Sequence, residues 1–112
     1  MANAFAELLR CVDWQPAHAA AVAYPADFST VETPPIATPD DANSSFRFAR
    51  IQAIDGDLLV GRRYAGGNAP TYGSGHLRVF QGSAEIIQLQ HGDTLYVGGA
   101  SGPTTGAVVW GR

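Results

Sequence analysis

The amino-acid sequence predicts a small, mainly β protein: a β-sandwich or partial jelly roll with a short N-terminal helix and an extended proline-rich arm. All 13 glycines lie between Gly56 and Gly111. In that half of the chain, short apolar segments alternate with polar residues, as half-buried strands do. Four of the seven prolines fall instead within residues 24–45, which show no sustained periodicity. We therefore divide the chain into residues 1–45, a helix and an arm, and residues 46–112, a β domain.

Length and composition limit the classes of protein to which the chain can belong. A chain of 112 residues suits one domain, because about 65% of its unfolded surface can be buried on folding. The hydrophobic fraction of 46% and the charged fraction of 15% exclude a highly charged disordered chain. The net charge of −3 disfavours nucleic acid and anionic membranes as partners, because both repel a negatively charged protein.

The charge is divided unevenly between the two predicted parts. Residues 1–45 hold six acids and one Arg, a net charge of −5, whereas residues 46–112 hold six Arg and four acids, a net charge of +2. Opposite charges of this kind favour head-to-tail contacts between copies in an assembly. They are also typical of two solvated surfaces, since exposed charge pairs contribute little to stability.

The single cysteine, Cys11, rules out an internal disulfide. The chain is therefore not a disulfide-stapled secreted domain. The N-terminal sequence MANAFAELLRCVDW lacks the basic and long apolar regions of a signal peptide, and no stretch reaches the ~18 apolar residues of a membrane span. We expect a protein that is neither exported by a signal peptide nor inserted in a membrane.

The first residues have the pattern of a short amphipathic helix. Its apolar positions are spaced i, i+3, i+4 and i+7, and they are Phe5, Leu8, Leu9 and Val12. Asn3 can cap this helix, and Pro16 can begin a second helical turn that runs to Ala23. A helix this short must pack on another surface, either its own β domain or a neighbouring subunit.

Residues 24–45 are predicted to form an extended arm. A connection this long without regular structure is uncommon in compact domains and is usually a functional loop or a linker. Phe28, Val31 and Ile36 are spaced so that the arm can place apolar side chains in grooves of another chain. The alternative is a loop that lies across its own domain, as most loops do.

Six short strands are predicted in the β domain. The first covers residues 45–54, and its apolar phase shifts from Phe46 and Phe48 to Ile51, as at a bulge or a change of neighbour. Residues 65–75 form a glycine-rich loop by composition.

Glycine-containing turns predict three hairpins between consecutive strands. The turns are Asp55 with Gly56, Gly82 with Ser83, and the loop of residues 98–106. The hairpins join residues 45–54 to 57–64, Leu77 and Val79 to Ile87 and Leu89, and Leu95 and Val97 to Val108 and Trp110.

No catalytic, metal-binding or cofactor-binding residues are predicted. His18, His76 and His91 lack the spacing of metal ligands. Cys11 next to an apolar helix face is better explained as a packed side chain than as a nucleophile. The chain contains no GxSxG, Walker or dinucleotide-binding motif.

The candidates for contacts with a partner are the arginines on adjoining predicted strands, Arg47, Arg50, Arg62, Arg63 and Arg78. With the nearby aromatic side chains they could bind phosphate or single-stranded nucleic acid. Contacts with carboxylates of another subunit fit better, because residues 1–45 are acidic and Arg is enriched at interfaces. The predicted partner-binding residues are Phe28, Val31, Ile36, Arg47, Arg62 and Arg63. Tyr72 and Trp110, if exposed, could instead form a platform for a sugar, which is the basis of an alternative, lectin-like function.

Two resemblances bear on the fold and function. The stretch GDTLYV resembles a strand of cupin-type jelly rolls, but the His pair and Glu that bind metal in that family have no counterpart here. The segments IQAIDGDLLVGRRY and HLRVFQGSAEIIQLQHGDTLYVGGASGPTTGAVVWGR resemble small β-rich virion proteins of tailed bacteriophages, such as capsid decoration proteins and head or tail attachment modules. This resemblance implies a non-enzymatic virion protein that uses no cofactor. Its partners would be copies of itself, as a trimer or another ring, and other virion proteins.

Overall fold

A computed structural model describes residues 21–33, 48–73, 76–90 and 92–111. These ranges contain eight β-strands and no helix. The strands are β1 (Val22–Tyr24), β2 (Thr30–Glu32), β3 (Phe48–Ala53), β4 (Leu58–Arg63), β5 (Leu77–Val79), β6 (Ala84–Gln88), β7 (Thr94–Gly99) and β8 (Thr104–Gly111). The predicted N-terminal helix and residues 34–45 of the predicted arm lie outside the described residues.

The strands form two four-stranded antiparallel sheets. The first sheet has the order β1-β8-β3-β6, and the second has the order β2-β7-β4-β5. The antiparallel pairs β1 with β8, β2 with β7, β3 with β6 and β4 with β5 are those of one long hairpin folded over on itself. This is the eight-stranded arrangement of a jelly roll, so the predicted mainly β sandwich is confirmed.

The core lies between the two sheets. On β3 the residues that point inward alternate with those that point outward, and Ala49, Ile51 and Ala53 are all fully buried. The second sheet contributes its own inward positions from β4 and β7. The buried cluster consists of Tyr24, Ala49, Ile51, Ala53, Leu58, Val60, Val79, Leu89, Leu95, Val97 and Trp110. Trp110 is only 5% exposed, so the expectation of an exposed Trp110 is wrong.

The first part of the predicted arm belongs to the sheets. Val22–Tyr24 is strand β1 and Thr30–Glu32 is strand β2, so the prediction of a helical turn that runs to Ala23 is wrong. Residues 24–33 lie on their own domain, which is the alternative to an arm that reaches another chain. Tyr24 is fully buried, and its hydroxyl donates a 2.9 Å hydrogen bond to Glu32. Burial, with the Glu32 carboxylate beside it, raises the pKa of Tyr24. Strands of three residues are too short to show periodicity in the sequence. β1 is a strand because it pairs with β8, and β2 is a strand because it pairs with β7.

The three predicted hairpins are also wrong. β3 and β4, β5 and β6, and β7 and β8 lie in different sheets, so each short connection crosses from one sheet to the other. Gly56 does not have the positive φ that a tight hairpin turn would require. The chain after β3 remains bonded to β8 instead, since the Ile54 N–H donates to the Thr105 carbonyl at 3.0 Å. Among consecutive strands, β4 and β5 do pair, across the loop that separates them.

Candidate interaction surface

The outer face of the first sheet follows from its strand register. Antiparallel partners point to the same side of a sheet, and Ala49, Ile51 and Ala53 of β3 point inward. The intervening residues of β3 therefore point outward, together with their partners on β6 and β8. This face consists of Phe48, Arg50, Gln52, Ala84, Ile86, Gln88, Ala107 and Val109.

The centre of this face is a row of three residues on three strands. Arg50 of β3 lies opposite Ile86 of β6 on one side and Val109 of β8 on the other. Ile86 is 45% exposed, and Arg50 is exposed. Within the part of the chain that the structure describes, the Arg50 guanidinium makes no ion pair or hydrogen bond. A cation among apolar side chains is a favourable site for a carboxylate of another molecule.

The outer face of the second sheet is covered by the chain itself. Phe28, from the loop between β1 and β2, packs edge-on against Tyr72 at 5.3 Å and against His76 at 4.9 Å between ring centroids. It also contacts Tyr96 of β7 at 6.1 Å. The Tyr72 hydroxyl donates a 2.5 Å hydrogen bond to the Gly99 carbonyl, which ties the loop between β4 and β5 to β7.

Two glycines allow these loops to lie directly on the second sheet. A Cβ atom at Gly61 would lie 2.7 Å from the Pro70 ring and 2.8 Å from the Phe28 ring. A Cβ atom at Gly98 would collide with the backbone carbonyl of Asp27. A side chain at either position would therefore push a loop away from the sheet.

A buried carboxylate holds one end of the second sheet. Asp93 is 3% exposed and accepts hydrogen bonds from Arg62 at 2.6 and 3.1 Å. It also accepts from the backbone N–H groups of Ala65 and Gln90, both at 3.1 Å. Burial raises the pKa of Asp93, but these hydrogen bonds and the Arg62 charge outweigh burial and hold the pKa below its ordinary value. The Arg62 guanidinium also lies over the Tyr64 ring, 4.8 Å from its centroid.

A second carboxylate holds the other end of the same sheet. Asp57 accepts a 2.7 Å hydrogen bond from the Gln81 backbone N–H and pairs with Arg78 at 2.8 Å. The bond from Gln81 and the pairing with Arg78 lower the pKa of Asp57. Both carboxylates therefore join elements of the domain to one another.

A cleft of about 290 Å³ opens between the sheets beside β4 and β5. Its walls are mainly apolar, with Val60 and Leu95 from one sheet and Ile87 from the other. Arg62 lies at this cleft, but two of its nitrogen atoms are already bonded to Asp93. In the described ranges, no three His, Cys, Asp or Glu side chains come together as a metal site.

The structure does not bring the predicted partner-binding residues together on one surface. Phe28 packs on its own domain, whereas Val31 is 45% exposed on edge strand β2. Arg62 pairs with Asp93, and Arg63 donates to the Gly67 carbonyl at 2.8 Å. Ile36 and Arg47 lie outside the described residues.

The two aromatic residues considered for a sugar do not form an exposed pair. Trp110 is in the core, and Tyr72 is half-buried, with its hydroxyl bonded to Gly99. A lectin-like function itself stays a prediction.

Sequence reasoning included Arg50 in the cluster of candidate arginines but not among the predicted partner-binding residues, and it did not select Ile86. The sequence feature that could have identified the outer face of the first sheet is the shift of apolar phase in β3. The structure pairs β3 with β8 without interruption from Phe48 to Ala53, so the shift does not mark a bulge. It arises because Phe48 points outward and Ile51 points inward. Apolar residues on both faces of a strand are the sequence signal that could have marked the second face as a candidate contact surface.

No protein-family model, curated protein or solved structure matches this chain at a significant level. Nowhere in the four described ranges is there a helix with the length and apolar character to cross a membrane.

Proposed function

We propose that the chain is a non-enzymatic structural protein that assembles with copies of itself and with neighbouring shell or tail proteins of a bacteriophage particle. The observation that carries this proposal is the outer face of the first sheet. There, Arg50, which has no ion pair or hydrogen bond within the described residues, lies between the apolar side chains of Ile86 and Val109. Removal of this apolar surface from water favours association by about 25 cal/mol per Å².

The composition of this face matches that of the centre of a protein interface. Arg and apolar side chains are enriched at such centres, whereas Lys, Glu and Asp are depleted. Arg is also frequent among the few residues that supply most of the binding free energy. The face contains Arg50 and Phe48, and it contains no acid.

The jelly-roll arrangement is compatible with a place in a virion, because capsid proteins are among the proteins built on it. The resemblance of residues 51–64 and 76–112 to small virion proteins supports the same function. In a symmetric particle, weak contacts are repeated many times, so each copy needs only a modest surface. Mass spectrometry of purified particles from the source phage tests this placement, and particles without this chain would exclude it.

The substitution Ile86→Asp tests the assembly surface. Ile86 and Val31 are each 45% exposed and lie on the edge strands of the two sheets, so Val31→Asp is a matched control. We expect Ile86→Asp to weaken self-association at least about tenfold, because it buries a charge in the interface. Val31→Asp should leave self-association unchanged. The measurement is mass in solution over a concentration series.

Three results would contradict the proposal. The wild-type chain could be a monomer at all concentrations, alone and with neighbouring virion proteins. Ile86→Asp could leave the assembly intact. Val31→Asp could disrupt the assembly as strongly as Ile86→Asp, which would place the contact on the second sheet.

A further inference from the structure

The outer face of the first sheet requires a partner with two chemical properties. A partner would need apolar side chains to pack on Ile86, Val109 and Phe48. It would also need a carboxylate to pair with Arg50. A partner without the carboxylate would bury an unpaired guanidinium, which costs free energy.

The first twenty residues of the same chain have both properties. They lie outside the described residues, and their sequence places four apolar side chains on one helical face: Phe5, Leu8, Leu9 and Val12. Asp13 follows Leu9 by four residues, so in a helix the carboxylate would lie beside the apolar face. A helix of this length needs a surface to be stable.

The described chain begins at an edge strand of the same sheet. Val22 of β1 lies opposite Gly106 of β8, and β1 is an edge strand of the first sheet. Seven residues, 14–20, separate the segment from the first described residue, and fully extended they would span about 23–25 Å. The four strands of the sheet span only about 14 Å from the first axis to the last. Seven residues are therefore long enough to carry the segment past the far edge of its own sheet.

We propose that the outer face of the first sheet binds residues 3–13 of a neighbouring copy of this chain, with Asp13 paired to Arg50. The inference rests on the proposed function and names the partner of the same surface. Each copy then carries both the face and the segment that fits it. Such a contact joins copies head to tail and closes into a ring when the rotation between neighbours permits.

The single thiol within residues 1–112 provides the test. Cys11 lies within the proposed segment and can be labelled with benzophenone maleimide. Light and ¹⁵N-labelled chains are mixed in equal amounts, exchanged, irradiated and digested. We expect crosslinks from Cys11 to residues 48–52, 84–88 or 107–109, with the proportion of light–heavy pairs that random mixing produces. Crosslinks confined within single chains, or directed to the second sheet, would overturn the inference.

A charge exchange tests the ion pair and controls for effects of the label. Arg50→Asp and Asp13→Arg should each weaken self-association about tenfold, and the double variant should regain most of the loss. Arg63→Asp is the matched control, since Arg63 is also exposed but lies on the second sheet. It should have no effect on self-association. A double variant as weak as the single variants would exclude the pair.

The failures of the two proposals can be distinguished. If Ile86→Asp dissociates the assembly but Cys11 crosslinks elsewhere, the face remains the assembly surface and another segment occupies it. If Ile86→Asp has no effect, the assembly surface itself is wrong.

Discussion

The outer faces of the two sheets differ in what covers them. Loops of the chain fold over the second sheet, where Phe28, Pro70 and Tyr72 lie on β4 and β7. On the first sheet, Ile86 and Arg50 remain exposed. Within the described ranges, the second sheet is therefore covered by loops of its own chain, whereas the first sheet keeps exposed side chains at the centre of its outer face.

The cause lies in the sequence of the outward positions. Gly61 and Gly98 have no side chain on the outer face of the second sheet, so backbone and rings approach it closely. The equivalent positions of the first sheet carry full side chains, among them Phe48, Arg50 and Ile86. At these side chains, a backbone segment cannot approach the sheet as closely as the Asp27 backbone does at Gly98.

Gly98→Val should produce the largest effect. Its side chain would collide with the Asp27 backbone, which cannot move without displacing the loop between β1 and β2. We expect the free energy of unfolding to fall by about 3 kcal/mol or more. Ala84→Val, on the outer face of the first sheet, is the control and should change it by less than about 0.5 kcal/mol. Urea unfolding of both variants measures the contrast, and equal losses would show that both faces are closely covered.

Asp93→Asn should have the next largest effect. It removes the charge that holds Arg62 and weakens the bonds to Ala65 and Gln90. We expect a loss of about 2–3 kcal/mol at pH 7. The measurement is chemical denaturation, and a loss below about 0.5 kcal/mol would show that the loops are held mainly by packing.

The same carboxylate predicts how stability depends on pH. The pKa of Asp93 is held below its ordinary value in the folded chain, so the unfolded chain binds more protons. Its contribution is therefore complete above the ordinary carboxyl pKa near about 4 and is lost as the pH falls toward the folded value. Asp57 contributes with the same sign. Asp93→Asn should make the loss of stability between pH 5 and pH 3 less steep, and an unchanged slope would contradict this role.

Phe28→Ala and Phe48→Ala should separate stability from assembly. Both side chains are half-buried, but Phe28 packs on the second sheet and Phe48 lies on the outer face of the first. Phe28→Ala should lower the free energy of unfolding by about 2 kcal/mol, because it empties a ring cluster, and should leave self-association unchanged. Phe48→Ala should mainly weaken self-association. Unfolding and mass measurements on both variants check this, and the reverse result would exchange the roles of the two faces.

The smallest effects are expected at the two ends of the second sheet. Tyr64 is 63% exposed and Phe80 is 62% exposed, and each has an arginine over its ring, Arg62 and Arg78 respectively. Tyr64→Ala and Phe80→Ala should each cost about 0.5 kcal/mol, typical of an exposed cation–π contact. Neither should change the mass of the assembly. A variant that lowers the mass would extend the assembly surface to that end of the second sheet.

Local patterns were sufficient to predict the longer strands. The alternation of apolar and polar residues identified β3 and β7, which contain Ile51 and Leu95. Each strand has six residues, which is long enough for a period of two to show. For the candidate site, the sequence predicted the type of residue, an arginine near apolar residues, but not which arginine. Arg50 could not be chosen over Arg62 from sequence, because Asp93 lies 31 residues from the Arg62 that it neutralises.

Between residues 46 and 112, the sequence by itself determined where the chain extends and turns, since alternation and glycine act within a few residues of one another. Only the tertiary structure decided which strands pair. The connection at Gly56 can close a hairpin or cross to the other sheet with the same residues, and the pairing of β3 with β8 selects the crossing. The tertiary structure also decided which face is covered, because Phe28 and Tyr72 are far apart in sequence and meet only when both sheets are in place. The residues that form a turn are neighbours in the sequence, whereas the burial of a side chain depends on the positions of all the strands around it.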